Sequence, residues 1–121
     1  MIVKLVFCVR RKPELTREEF QRYWLDEHGP LVRSLREAQP GLRRYVQSHT
    51  IEIPASELAR ASRGTAEPYD GITEVWIDDE SLESEPTPEF IEAGMRLLDD
   101  ESTFVDFANS SVFFTIEREI F

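Results

Sequence analysis

Phe20-Gln21-Arg22-Tyr23-Trp24-Leu25-Asp26-Glu27-His28-Gly29-Pro30 is the stretch on which the reading of this chain turns. At 3.6 residues per turn, Phe20, Tyr23, Trp24 and His28 share one side of a helix. Tyr and Trp carry a polar end on an apolar body, and His exchanges a proton near neutral pH. A stripe that only filled a core would be built from Leu, Ile and Ala. This one brings hydrogen-bonding groups to its apolar side and reads as a pocket wall. Just upstream, Thr16-Arg17-Glu18-Glu19 has the capping-box pattern, a hydroxyl followed three residues later by a carboxylate. The helix is therefore expected from about Thr16 to His28. Gly29-Pro30 is expected to bend or end it, placing His28 at a helix terminus, with Leu31, Val32 and Leu35 available to a further helical segment.

Working outward, residues 2–10 (IVKLVFCVR) are β-branched and aromatic and predict a strand. Gln39-Pro40-Gly41 is a turn signal. From Arg43 to Ile53 the chain alternates, with Tyr45, Gln47, His49, Ile51 and Ile53 on one face of a second strand. Pro54 through Asp70 reads as a long connection holding a short helix at Ser56–Ala61. Residues 71–77 (GITEVWI) are a third strand with Ile72, Glu74 and Trp76 on one face. Asp78 through Pro88 reads as an acidic loop. A second long helix is expected over Pro88–Leu98, capped by Thr87, with Phe90, Ile91, Met95 and Leu98 as its apolar stripe. Asp99–Asn109 is a polar segment studded with Phe104, Val105 and Phe107, and residues 111–120 (SVFFTIEREI) are the last strand.

The order β-α-β-β-α-β is the split βαβ arrangement of an α+β, ferredoxin-like fold: a four-stranded antiparallel sheet with its helices on one face. Three strands carry apolar or aromatic residues on both faces. The second sheet face is therefore expected to meet a second copy of itself, making a homodimer.

Composition bounds the function. Residues 1–121 are enough for a single domain with its own core. With 24 acidic residues against 14 basic, the net charge is −10, which repels phosphate backbones and anionic membranes and argues against nucleic-acid or membrane partners. The basic clusters Arg10-Arg11-Lys12 and Arg43-Arg44 are too short to reverse that. Cys8 has no disulfide partner and sits between apolar neighbours, as a buried thiol does. Lys4 interrupts the N-terminal apolar run, so nothing reads as a leader or a membrane span, and a soluble cytoplasmic protein is expected. Two His without a Cys cluster give no metal-ligand spacing. No phosphate loop, dinucleotide fingerprint or nucleophile elbow occurs, so no cofactor is expected.

The segments "RRKPELTREEFQRYWLDEHGPLV", "PGLRRYVQSH", "DGITEVWIDD" and "DDESTFVDF" together resemble the EthD family of dimeric α/β-barrel proteins, over nearly the full chain except the Pro54–Pro68 loop. The resemblance implies a dimer joined through its sheets and a small-molecule pocket in each protomer between sheet and helices. Members of the family are associated with ether degradation, dehydration of aromatic polyketides and lactone isomerisation.

The candidate residues follow. His28 is the first: a general acid or base, or else a His that caps the last carbonyls under the Gly-Pro bend. His49 alternates with Tyr45 on strand two and reaches the same cavity if that face looks toward the helices; a one-residue slip would send it to the interface instead. In the acidic run Asp99-Asp100-Glu101, carboxylates oppose the helix dipole and so imply a partner, and the family pattern points to Asp100. Asp106 is a weaker candidate, and Glu74 reads as a solvent or interface contact. On this reading His28, His49 and Asp100 are catalytic. Tyr23 and Tyr45 hydrogen-bond the substrate, while Trp24, Trp76 and Phe104 stack on it. The expected chemistry is cofactor-independent proton transfer on an aromatic or polyketide-like carbonyl compound, by dehydration, cyclisation or isomerisation. The alternatives are a cofactor-free oxygenase acting on an electron-rich phenol and a non-catalytic binding protein for a hydrophobic metabolite.

Overall fold

A computed structural model describes residues 1–121. The elements run β1 (Ile2–Val9), α1 (Arg17–Tyr23), a π-helical turn (Trp24–His28), α2 (Gly29–Ser34), β2 (Leu42–His49), α3 (Pro54–Arg63), β3 (Gly71–Asp78), α4 (Asp79–Glu83), α5 (Pro88–Glu101) and β4 (Ser111–Thr115). The sheet is four-stranded in the order β2-β3-β1-β4, and every pairing is antiparallel. This is the ferredoxin-like α+β arrangement.

The alternation of side chains sorts the two sheet faces. In β3, Gly71, Thr73, Val75 and Ile77 are the buried set. The register sets Val9, Phe7 and Leu5 opposite the first three of these on β1, and His49, Gln47 and Tyr45 opposite them on β2. All of these look toward the helices. Cross-strand neighbours on the other face include Lys4, Arg44 and Trp76, with Lys4 Nζ 2.7 Å from Glu74.

The core lies under α1, where Val9, Phe20, Trp24, Phe104 and Val105 form one buried cluster. The Phe20 ring centroid is 5.5 Å from both the Trp24 and the Phe104 rings, the tilted packing that aromatic quadrupoles favour. Phe104 is delivered by a short extended pairing: Lys12 N–H donates to its carbonyl, and Asp106 N–H donates to Arg10 C=O. The start of α1 is held as its sequence predicts. Glu19 N–H donates to Thr16 Oγ1, and the Glu19 carboxylate accepts from Thr16 N–H.

Several expectations need correction. The helix, expected to bend or end at Gly29-Pro30, does not end there: it continues through a widened turn to Ser34, so His28 is not at a helix terminus. The Pro54–Asp70 connection holds a longer helix, α3, ended by Gly64 in the left-handed conformation that glycine adopts without strain. The acidic stretch after β3 folds into α4. Strands two and four end at His49 and Thr115, short of Ile53 and Ile120. On α5 the inward residues are Ala93, Leu97 and Asp100, whereas Ile91, Met95 and Leu98 are exposed. Hydrophobicity alone cannot mark the inward face when a small residue and a carboxylate occupy it. No helix is long and apolar enough to cross a membrane.

Candidate active site

Pro30 explains the backbone at the site. In a regular α-helix its ring would collide with the carbonyl four residues back, and it has no N–H to donate. The chain widens by one residue instead: Gly29 N–H donates to Trp24 C=O, five residues earlier. The side chain of Gln47 donates to the same carbonyl at 2.9 Å, tying the π-turn to β2. Such turns inside helices gather at functional sites because they re-aim the side chains they carry. His28 is thereby turned inward within a continuous helical run. It is not at a helix terminus, and it caps no carbonyls.

The His28 side chain is 5% exposed. Its Nδ1 lies 2.7 Å from Asp100 Oδ2, and Tyr23 Oη donates to Asp100 Oδ1 at 2.5 Å. On the other side of the ring, Nε2 lies 3.8 Å from Glu101 Oε2. Phe104 closes the remaining side, its ring centroid 5.2 Å away. Asp100 and Glu101 occupy the last turn of α5, where the helix dipole disfavours a negative charge. Two donors offset that cost at Asp100, and an ionised carboxylate is the species that can accept from both. Glu101 has no such donors. Burial, with the Asp100 charge added, pushes its carboxyl up to about 7. The hydrogen bond to Asp100, reinforced by burial, raises the Tyr23 hydroxyl.

β2 supplies an adjoining polar ladder. Gln47 Nε2 donates to Tyr45 Oη at 3.2 Å, and Gln47 Oε1 lies 2.9 Å from His49 Nε2, which is the donor of that pair. Since Tyr45 Oη accepts from Gln47, its own proton is left to be donated elsewhere. Burial raises the Tyr45 hydroxyl, outweighing the hydrogen bonds that lower it, and burial lowers the His49 imidazole. The His49 ring stacks on Trp24 at 4.5 Å between centroids. Trp24 in turn rests on Gly71, where any Cβ would overlap the indole ring. A groove of about 750 Å³ opens beside this ladder, with Gly29, Tyr45 and Gln47 in its lining.

The structure thus brings His28, Asp100, Tyr23 and Phe104 into one cluster, with Tyr45, His49 and Trp24 alongside. His49 does not partner His28; it bonds Gln47 and stacks on Trp24. Trp76 does not join the group, because it lies on the opposite sheet face between Lys4 and Arg44, its Nε1–H donating to Glu117. Asp106 accepts from Asn109 in a local turn. Sequence reasoning missed Glu101 and Gln47. Both were visible, the first as the neighbour of Asp100 and the second as the residue between Tyr45 and His49 on one strand face. Their importance comes from what they meet across the fold.

Comparison with known proteins gives the following. A family model described as EthD domain matches residues 12–108. No protein of curated function matches the chain in sequence. An ethyl tert-butyl ether d (EthD) family protein from Bacillus halodurans is 22% identical, with 98% of this chain and 100% of that one covered and a TM-score of 0.60. A dimeric ferredoxin-like protein of unknown function from Thermobifida fusca is 14% identical, covering 95% of this chain and 90% of that one at 0.56. A hydroxynitrile lyase from Passiflora edulis is 17% identical, covering 99% and 96% at 0.60. At these identities the structural likeness is one of fold.

Proposed function

This chain belongs to the EthD domain family, and from that premise we propose that it is a cofactor-independent enzyme moving protons on a small carbonyl compound. The observation that carries the reading is a buried imidazole flanked by two carboxyl groups: Asp100 lies 2.7 Å from Nδ1, and Glu101, whose carboxyl is pushed up to about 7 by burial, lies 3.8 Å from Nε2. Asp100, ionised, takes the Nδ1–H of His28 and leaves the Nε2 lone pair as base. Glu101, its carboxyl pushed up to about 7, faces that same nitrogen and in its protonated form serves as acid. Pairs of titratable groups with affinities pushed apart are how acid and base roles are divided at one pH.

The corresponding reaction is loss of water from a β-hydroxy carbonyl compound. His28 Nε2 removes the proton next to the carbonyl, and Tyr45 donates a hydrogen bond to the enolate oxygen as charge develops there. Glu101 protonates the departing hydroxyl, which leaves as water while the carbon–carbon double bond forms. The imidazolium then returns its proton to the Glu101 carboxylate, restoring both groups. Cyclisation and isomerisation begin with the same abstraction. A lyase among proteins of the same fold supports this class of chemistry. The enclosure of His28 favours a second reading, a binding protein for a hydrophobic metabolite with no turnover.

Hydrogen exchange separates the two without knowledge of the true substrate. In D2O, a panel of small aryl ketones and β-hydroxy ketones should gain deuterium next to the carbonyl when incubated with the protein. His28→Gln should slow that exchange at least 100-fold, within the range typical of a positioned general base. Exchange no faster than with His28→Gln for every compound, alongside measurable binding, would leave the carrier reading.

We further propose that the working unit is a homodimer joined through the open sheet face. The protomer exposes 8559 Å², against roughly 6,700 Å² for a monomer of its mass. The excess is of the size each partner buries in an obligate dimer. Sedimentation equilibrium at micromolar concentration should return twice the mass of 14.1 kDa; a monomer would end this proposal.

A further inference from the structure

The groove beside the His28 cluster has a charge unlike that of the rest of the molecule. The chain holds 24 acidic residues and 14 basic ones. Of the 12 residues lining the groove, four are arginines and none is acidic. Two of the four are engaged elsewhere: Arg43 pairs with Asp78 at 2.6 Å, and the Arg44 guanidinium lies over the Trp76 ring. Arg33 and Arg36 have no carboxylate within 4 Å, although acids outnumber bases across the chain. Arg33 lies in the last turn of α2 and Arg36 opens the short 3-10 turn that follows it, and both line the groove.

The groove and the catalytic cluster share a wall. Gly29 follows His28 directly and lines the groove, and so do Tyr45 and Gln47. Gln47 holds the π-turn from which His28 projects. A molecule lying in the groove therefore meets Tyr45 and two guanidinium groups that have no carboxylate partner. Guanidinium forks match planar or tetrahedral oxyanions through paired N–H donors. The apolar members of the lining, among them Leu25, Pro30 and Val32, suit the hydrocarbon body of such a molecule.

We propose that this groove is an anion subsite and that the substrate is a carboxylate- or phosphate-bearing molecule anchored by Arg33 and Arg36. As an assignment of substrate class it rests on the proton-transfer reading above, but anion binding at the groove is testable apart from it. The field of the two guanidinium groups also gives an anion a local attraction in a protein that otherwise repels it, and added salt weakens that attraction.

The test is NMR titration of the full chain with benzoate, phenyl phosphate and, as the uncharged counterpart, benzamide. The expected result is shifts of the Gly29, Tyr45 and Gln47 amides with benzoate or phenyl phosphate, and binding at least 10-fold weaker for benzamide. The double variant R33Q/R36Q should lose at least 10-fold in affinity for the anion. R63Q, which removes an exposed charge outside the groove, should leave it unchanged. Both arginines are exposed, and an unaltered amide spectrum will show that the double variant folds. Stronger shifts with benzoate identify a carboxylate, and with phenyl phosphate a phosphate ester. Equal binding of benzamide, no saturable shift with either anion, or undiminished binding by R33Q/R36Q would overturn the proposal. His28→Gln separates the two readings: it should slow deuterium exchange at least 100-fold yet bind benzoate as the wild type does. In the wild-type protein, exchange without anion binding would sink the subsite alone, and anion binding without exchange would sink the catalytic reading alone.

Discussion

Asp70 and the Asp100–Glu101 pair both withdraw carboxyl groups from water, and they are built oppositely. Asp70, the residue before β3, is 2% exposed and accepts from Arg11 N–H at 2.8 Å, from the Arg11 guanidinium at 2.5 Å and from Arg17 Nε at 2.9 Å. Burial pushes its carboxyl up, but the backbone hydrogen bond from Arg11 and the two guanidinium groups outweigh that, and the net shift is down. Its main chain is equally committed, with N–H donating to Val9 and C=O accepting from Thr50 and from the Gln21 side chain. Its partners are charged at every working pH, so the site has one protonation state and serves as a joint between β1, α1 and β3. Asp100 and Glu101 are partnered by a phenol and an imidazole, groups that exchange protons. Burial raises both acids, but the donors that overcome it at Asp70 have no counterpart at Glu101, whose carboxyl is pushed up to about 7. The lesson is that a buried acid is structural or reactive according to whether its partners can give up a proton.

Breaking the structural member should have the largest effect. Asp70→Ala leaves two guanidinium groups facing an uncharged pocket and should cost about 3–5 kcal/mol in urea unfolding. Asp100→Ala leaves a phenol and an imidazole without their acceptor and should cost about 1–2 kcal/mol. Equal losses from the two variants would erase the contrast.

Glu101 sharpens the comparison through pH. Its folded carboxyl titrates near 7, above the ordinary 4.5. The stability it contributes is therefore fully present below about pH 4.5 and lost as pH rises through about 7. That amounts to roughly 3 kcal/mol from a shift of this size. Glu101→Gln should flatten the stability profile over this window, raising the unfolding midpoint at pH 8 relative to the wild type. Asp70 has the opposite sign: its contribution is present above the ordinary value of 3.8 and is lost as pH falls through the lowered folded one. A wild-type profile flat from pH 5 to 8 would show that Glu101 is solvated like a surface acid.

The smallest effect is expected at the cap that launches α1 and carries Arg17 to Asp70. Thr16→Ala removes the acceptor for Glu19 N–H and should cost about 1 kcal/mol. Combined with Asp70→Ala it should cost less than the two separately, because both secure the same end of α1.

Much of this architecture is legible in single segments. The Thr16-x-x-Glu19 box starts α1 where it is read, and the alternation in residues 71–77 sorts β3 into a buried and an outer set, with Trp76 in the outer one. Harder to read is any element whose inward face is not its greasiest. On α5 a methyl group at Ala93 and a carboxylate at Asp100 face in, while Ile91, Met95 and Leu98 face out. The Gly29-Pro30 pair misleads for a related reason. Proline forbids a regular α-turn, yet one extra residue in the turn removes the clash at less cost than ending a helix that already buries Phe20 and Trp24.

By itself the sequence determined the order of strands and helices, the cap of α1 and the alternation of Tyr45, Gln47 and His49, because each depends on residues a few positions apart. Only the tertiary structure decided that this strand face looks toward the helices and that Asp100, not His49, meets His28. It also decided that the Glu101 carboxyl is pushed up to about 7. Asp100 lies 72 residues from His28 along the chain. No local period spans that distance; packing α5 against the π-turn does, and it sets the burial that raises Glu101.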